Sequence, residues 1–128
     1  MIELRSIRTT AGSFRLQDVD VTIPTGTCHV IVGPTGAGKT VLLETLIGLR
    51  PLESGSISLN GKDVAALPPN ERRISYVPQD TCLFPNLTVR ENIWYGVQVR
   101  GLSHDDVNSF IEHLISFFQI APLLDRYP

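Results

Sequence analysis

Eight consecutive residues limit most strongly what this chain can fold into: Gly33-Pro34-Thr35-Gly36-Ala37-Gly38-Lys39-Thr40, which fits the pattern G-x-x-x-x-G-K-[ST] in full. Glycines let a backbone curl until successive N–H groups point inward at phosphate oxygens. A helix starting at the end of the loop adds its positive N-terminal end to the same spot. Lys39 supplies a point charge for the β- and γ-phosphates, and Thr40 a hydroxyl for Mg2+, which takes hard oxygen ligands. A glycine-rich turn can contain Gly-Lys-Thr by accident, so the flanks decide. Here the short apolar run Cys28–Val32 leads in and Lys39 to about Leu49 leads out. The first suits a buried parallel strand. The second carries Val41, Leu42, Leu43, Leu46 and Ile47, an apolar surface almost all round that suits a helix buried between layers.

The rest of the chain divides in character near residue 80. Ile2, Leu4 and Ile7 mark a short first strand, and Phe14, Leu16, Val19, Val21 and Ile23 nearly alternate, the signature of a half-buried second strand. Pro24-Thr25-Gly26 reads as a turn. After a loop over Pro51–Gly55, Ser56–Leu59 reads as a strand running into a tight Asn60-Gly61 turn. Ile74–Val77 is a further short strand, ended by Pro78. Beyond it the pattern becomes helical. Thr88-Val89-Arg90-Glu91 and Ser103-His104-Asp105-Asp106 both have capping-box spacing. From Val107 onward, Phe110, Ile111, Leu114 and Phe118 share a helical face.

Bulk properties exclude several classes. With 42% hydrophobic and 19% charged residues, the 128-residue chain is a folded domain rather than a disordered one. Its net charge is −2 and no stretch concentrates Lys and Arg, which argues against nucleic acid as a partner. The opening MIELRSIRTT lacks the apolar run of a secretory signal, and no segment approaches the ~20 apolar residues of a membrane span. Cys28 and Cys82 are too few for a disulfide framework or a zinc site. These features lead to the expectation of a reduced, cytoplasmic protein.

A phosphate cradle alone does not name a function. Ile74-Ser75-Tyr76-Val77-Pro78-Gln79-Asp80, with Gln79 forty residues after Lys39, resembles the Q-loop of ABC ATPases. Leu46-Ile47-Gly48-Leu49 with Pro51 and Ser54-Gly55 resembles the family's stretch after the P-loop. Leu59-Asn60-Gly61-Lys62-Asp63-Val64 resembles its hairpin, and Leu83–Ile93 the entry to its helical subdomain. The likeness covers the whole chain. The wording of Thr35–Leu43 and Leu67–Arg73 is most similar to molybdate, tungstate or sulfate importer ATPases. The resemblance implies an α/β P-loop NTPase fold of the ABC ATPase type, incomplete, with an N-terminal antiparallel β portion and the start of a helical subdomain. It places a nucleotide-binding core at 1–80 and a Q-loop connector with the beginning of the helical subdomain at 81–128. It further implies ATP and Mg2+ as ligands, held by Gly33, Pro34, Thr35, Gly36, Ala37, Gly38, Lys39, Thr40 and Val41. Gln79 would sense the γ-phosphate beside the metal, sharing the Mg2+ role with Thr40. The 80–95 region would receive a transmembrane permease subunit, and a second ATP-binding subunit would complete a dimer on the inner face of the cell membrane.

The sequence also departs from that family. Relatives often stack adenine on an aromatic just before a glycine in the first hairpin; here Ala11 precedes Gly12. Phe14 is the nearest substitute, although a strand phenylalanine is more often core. The Leu-Ser-Gly-Gly signature, an apolar strand ending in Asp-Glu, and a switch histidine are missing. Leu123-Leu124-Asp125-Arg126 mimics the Asp-Glu strand only superficially, because Pro122 interrupts the run and Arg126 replaces the glutamate. Asp125 therefore reads as a helix-surface carboxylate and these residues as the approach to the signature. His29, His104 and His113 read as structural or solvated, and Trp94 and Tyr95 either face a membrane subunit or pack within the small subdomain. The expectation is an ATP-binding subunit that couples hydrolysis to import of a small solute, with an oxyanion favoured. The chain alone would bind nucleotide weakly and turn over little, and strands deprived of neighbours would leave it poorly stable. A catalytically silent binding module and a non-transport ABC ATPase remain as alternatives.

Overall fold

The computed structural model describes residues 1–80 and 82–128; Thr81, which opens the expected connector, lies outside the described residues. The chain divides into two compact units, Met1–Tyr76 and Val77–Pro128. The first is built on a four-stranded antiparallel sheet: β1 (Ile2–Ala11), β2 (Phe14–Ile23), β3 (Ser54–Leu59) and β4 (Lys62–Asp63), in the order β2-β1-β3-β4. One helix, α1 (Lys39–Ile47), belongs to the same unit.

The imperfect alternation of β1 and β2 has a structural cause. A strand shows one face to the core at every second residue. Inward positions in β1 are Ile2 and Leu4, then Ile7 and Thr9, so the phase changes between Leu4 and Ile7. An extra residue is accommodated there, with Ser6 at φ 48° and its N–H donating to the Asp20 carboxylate at 2.8 Å. In β2 the phase changes between Leu16 and Val19, where Asp18 stands at φ 51° and pairs with Arg8 at 2.7 Å. Each strand thus carries one bulge, and the second restores the register that the first displaced. Both keep apolar side chains on a single face despite the inserted residues.

That face packs on α1. Leu4, Ile7, Ile57, Leu42, Leu46 and Val64 form a buried cluster, with Leu16, Val19, Val21, Ile31 and Ile74 packed around it. Thr9 is fully buried and satisfies its hydroxyl by donating to the Pro51 carbonyl at 2.9 Å. The helix is not buried all round, as its composition suggests. Leu42, Thr45, Leu46 and Ile47 are buried, while Leu43 is exposed. Nor are Cys28–Val32 and Ile74–Val77 strands. Both lack ladder partners among the described residues, and an extended segment becomes a strand only by exchanging backbone hydrogen bonds with a neighbour. Ile31 and Ile74 still reach the core, but Val30 and Val32 are 72% and 84% exposed.

A buried arginine ties this unit together. Arg72 donates to the carbonyls of Thr45 (2.9 Å) and Leu46 (2.8 Å) at the end of α1, and to Ala65 (2.8 Å) and Leu67 (2.9 Å) in the loop after β4. Burial lowers the pKa of its guanidinium and the charge of Asp63 pushes it back up. The last carbonyls of a helix have no intrahelical partner and carry the negative end of its dipole, so a planar cation with several donors suits them.

The second unit contains α2 (Val89–Val99), α3 (His104–Phe117) and a 3-10 turn at Ala121–Leu123. Val97, Ile111, Ile115 and Leu124 form its core, with Val89, Ile93, Trp94, Val107 and Ile120 around them. The buried stripe of α3 is therefore Val107, Ile111 and Ile115, whereas Phe110 and Phe118, expected on that face, are exposed. The Thr88 capping box forms: Thr88 Oγ1 accepts from the Glu91 N–H at 3.2 Å, and the Glu91 carboxylate accepts from the Thr88 N–H at 2.7 Å. The Ser103 box does not. Ser103 occupies the N-cap position without a side-chain cap bond, and the shorter Asp106 side chain in place of glutamate is poorly suited to the reciprocal bond. Asp125 is exposed as expected, but in a turn after the 3-10 segment rather than on a helix, where it pairs with Arg90 at 3.3 Å.

Two outcomes test these anchors. Arg72→Met removes the guanidinium donors from four carbonyls, of which only Thr45 keeps another among the described residues, the Gly48 N–H. It is expected to cost on the order of 3 kcal/mol in urea denaturation, with Arg72→Lys recovering only part. An unchanged midpoint would show that water replaces the guanidinium. In the second unit, the backbone and side-chain hydrogen bonds from Thr88 hold the Glu91 pKa below its ordinary 4.5. Its contribution is complete above that value and is lost as pH falls through the lower, folded one. Helix content followed by circular dichroism should therefore fall on acidification below about 4.5, and Glu91→Gln should remove part of that dependence. An equally steep acid response in the variant would place the titrating group elsewhere.

Candidate functional site

The eight-residue loop ends in a helix start that no side chain among the described residues caps. Gly38 is the N-cap of α1 at φ 91°, ψ 9°, with no side-chain cap bond, and the first turn contains no acidic residue. The first amides of a helix lack intrahelical acceptors. With no carboxylate or hydroxyl to occupy them here, they remain available to an external anion. Gly36 at φ 83° turns the loop, and the Ala37 N–H closes it on the Pro34 carbonyl at 3.2 Å.

Lys39 is half-buried and folds back over the loop. Its Nζ donates to the carbonyls of Gly33 at 2.7 Å and Pro34 at 2.8 Å. These two bonds hold the ammonium across the mouth of the loop and leave one of its three donors uncommitted. Thr40 is exposed at the first helical turn, and Val41, the next residue, is half-buried. The structure thus brings Gly33, Pro34, Thr35, Gly36, Ala37, Gly38, Lys39, Thr40 and Val41 into one curl against one helix end. A phosphate with its Mg2+ fits what is present: free amides, a cation beside them and an exposed hydroxyl. A groove of about 730 Å³ between the β3–β4 turn and the 67–73 loop shares no residue with the cradle.

Gln79 belongs to the second unit, exposed in a bend after Pro78. In the same unit Phe84 tilts on Tyr95, ring centroids 4.5 Å apart, and Trp94 stacks on His104 at 4.1 Å. Trp94 is therefore engaged in packing, while Tyr95 is 40% exposed. His104 and His113 lie on α3, and His29 is exposed in the extended lead-in. Ala11 pairs with Phe14 at the end of the first hairpin, and the Phe14 ring lies against Gly38.

Two organising residues escaped the sequence reading. Arg72 anchors the far end of α1, and only the Pro68-Pro69 break before a short basic pair hinted that a side chain must turn inward there. Asn92 accepts from the Phe84 N–H at 2.8 Å and donates to the carbonyls of Phe84, Leu87 and Thr88 at 3.1, 3.0 and 3.0 Å. It thereby fixes the 84–88 turn on α2. An asparagine in the first turn of a helix, where its amide competes for backbone partners, was the available signal.

A glycine-bounded helix with an open N-terminus and a lysine drawn over the loop carbonyls is the arrangement of a P-loop fold. Comparison with known families narrows this class. The sequence profile described as ABC transporter matches residues 16–128, and the chain belongs to that family. Among relatives, the molybdate/tungstate import ATP-binding protein WtpC of Pyrococcus abyssi is 37% identical over 128 residues, covering 100% of this chain and 37% of the relative. The protein of the same name from Thermococcus kodakarensis is 42% identical over 115 residues, covering 90% and 35%. The sulfate/thiosulfate import ATP-binding protein CysA of Synechococcus elongatus is 38% identical over 128 residues, covering 99% and 37%. The chain thus spans little more than a third of the length of these relatives.

Solved structures agree on the fold. An ATP binding subunit of an ABC transporter superposes with a TM-score of 0.87 at 27% identity, covering 100% of this chain and 54% of that one. A dimeric ATP-binding cassette bound to ADP and phosphate gives 0.83 at 20% identity, covering 100% and 62%. The expected ABC ATPase type of P-loop fold, represented in part, is what the chain has.

The N-cap glycine provides a direct test of the cradle's backbone. Gly38→Ala places a side chain on a left-handed backbone, which alone costs about 1–2 kcal/mol. It also meets the Phe14 ring, so the variant should unfold at lower urea concentration than Gly36→Ala, where a Cβ meets nothing. Equal midpoints for the two variants would mean that the ring yields freely.

Proposed function

We propose that this chain binds Mg·ATP at Gly33–Val41 as the nucleotide-binding part of an ABC importer. The observation that carries the reading is the uncapped start of α1 with Lys39 held across the loop. In this reading the amides at the start of α1 wrap the phosphates, Lys39 spans the terminal pair, and Thr40 holds the metal. Mg2+ supplies charge neutralisation between the β- and γ-phosphates when bound. In the same reading Gln79 senses the γ-phosphate and shares with Thr40 only the Mg2+ role. In function, 1–80 is the nucleotide core and 81–128 the connector with the start of the helical subdomain.

Hydrolysis requires a positioned water as well as a cradle. Turnover therefore belongs to the assembled transporter, with a second ATP-binding subunit and a permease received by the 80–95 region, on the inner face of the cell membrane. No helix among the described residues is long and apolar enough to cross a membrane, which suits a peripheral subunit. The cargo is a small solute, and the likeness to relatives named for molybdate, tungstate and sulfate import favours an oxyanion. Nucleic acid has no part in the reading.

Calorimetric titration with Mg·ATP tests the site. Lys39→Ala should weaken binding by at least about tenfold, equivalent to ~1.4 kcal/mol, while Gln79→Ala retains binding. Titration of well-folded wild-type chain without heat of binding would refute the nucleotide reading.

A further inference from the structure

The contact that makes Gly38 obligatory comes from outside the phosphate loop. A Cβ built on Gly38 would lie 2.7 Å from Phe14 Cζ, 2.8 Å from Phe14 Cε1 and 3.2 Å from Leu16 Cδ1. The ring therefore rests against the backbone where the cradle turns into α1. The other two loop glycines differ. A Cβ on Gly36 would meet nothing within 4 Å, and one on Gly33 would meet only Ala37 Cβ at 3.6 Å, inside the loop itself.

A left-handed glycine is the most permissive backbone unit, so by itself it would leave the start of α1 free to swing. Phe14 is well placed to remove that freedom. It begins β2, pairs with Ala11 across the hairpin, and is followed by the Thr10–Arg15 and Thr9–Leu16 pairs. The hairpin thus presents a rigid aromatic wall to the one loop glycine that caps the phosphate-binding helix. Phosphate binding through backbone amides depends on their direction, and displacement by about 1 Å is costly at such sites.

We propose that Phe14 is a positioning residue for the phosphate cradle, acting through Gly38 to aim the first amides of α1. The proposal rests on the nucleotide reading above. It differs from a base-stacking role for the same ring, because a positioning residue acts on any ligand that carries the phosphates.

The test compares Mg·ATP with inorganic tripolyphosphate, which has no base, on the full chain. Phe14→Ala should weaken both by a similar factor, about tenfold, and Phe14→Leu, which refills part of the space, should recover part of each loss. Affinities are measured well below the unfolding transition, so a variant that merely melts earlier keeps its dissociation constants. Loss of ATP affinity with tripolyphosphate unchanged would assign the ring to the base and overturn the proposal. Unchanged affinity for both ligands in Phe14→Leu and Phe14→Ala, with only a lower melting temperature, would overturn it too. Failure of the wild type to bind either ligand would instead remove the nucleotide reading and the proposal with it.

Discussion

Arg72 is the point on which the first unit depends, because one side chain joins the end of α1 to the loop after β4. Its guanidinium receives no direct carboxylate; four backbone carbonyls satisfy it instead. A buried cation is tolerated only when its donors are used, and the end of a helix offers a ready cluster of unpaired acceptors with the matching partial charge. The arrangement also explains Gly48. This residue ends α1 at φ 85°, and a Cβ there would stand 2.7 Å from Arg72 Nε. The helix therefore has a left-handed glycine at each end, each roofed by a side chain from another part of the chain: Phe14 over Gly38 and Arg72 over Gly48.

This matters because α1 has only nine residues. Helices of that length are unstable in water by themselves, since too few hydrogen bonds follow the cost of the first turn. Burial of Leu42, Leu46 and Ile47 and fixation of the two ends take the place of length. The cradle inherits its geometry from this packing, so burial along the helix and the setting of its open N-terminus are parts of one construction.

Much of this was legible in the sequence, and the limits have physical causes. The phosphate loop could be read because its residue types are demanded by backbone geometry that few other sequences meet. The β1–β2 hairpin could be read because alternation survives on either side of a bulge, although the bulges at Ser6 and Asp18 were visible only as irregular spacing. The Thr88 box could be read from spacing; the Ser103 box shared the spacing but had aspartate in place of glutamate. Cys28–Val32 and Ile74–Val77 misled because an apolar run reports suitability for a strand, whereas strand formation depends on a neighbour that local sequence does not contain. Arg72 was illegible for the opposite reason. Its partners are backbone carbonyls, which residue identity does not record, so the Pro68-Pro69 break was the one hint.

The supports of the cradle are unequal, and this bears on affinity. Its helical side is held by Phe14, by the core and by Arg72. The lead-in is held by Ile31 against the core, with Val30 and Val32 on its other face exposed and no ladder bonds to either side among the described residues. A ligand that needs both sides must order the less constrained one, and that ordering is subtracted from the binding energy. Lys39 partly compensates, since its bonds to the Gly33 and Pro34 carbonyls bind the weak side to the strong one. The same lysine thus closes the loop and supplies charge to it, so its removal loosens the cradle before any phosphate arrives. If the chain binds nucleotide as proposed, the cost of ordering the segment before Gly33 is set against the binding energy alongside the aim of the helix amides.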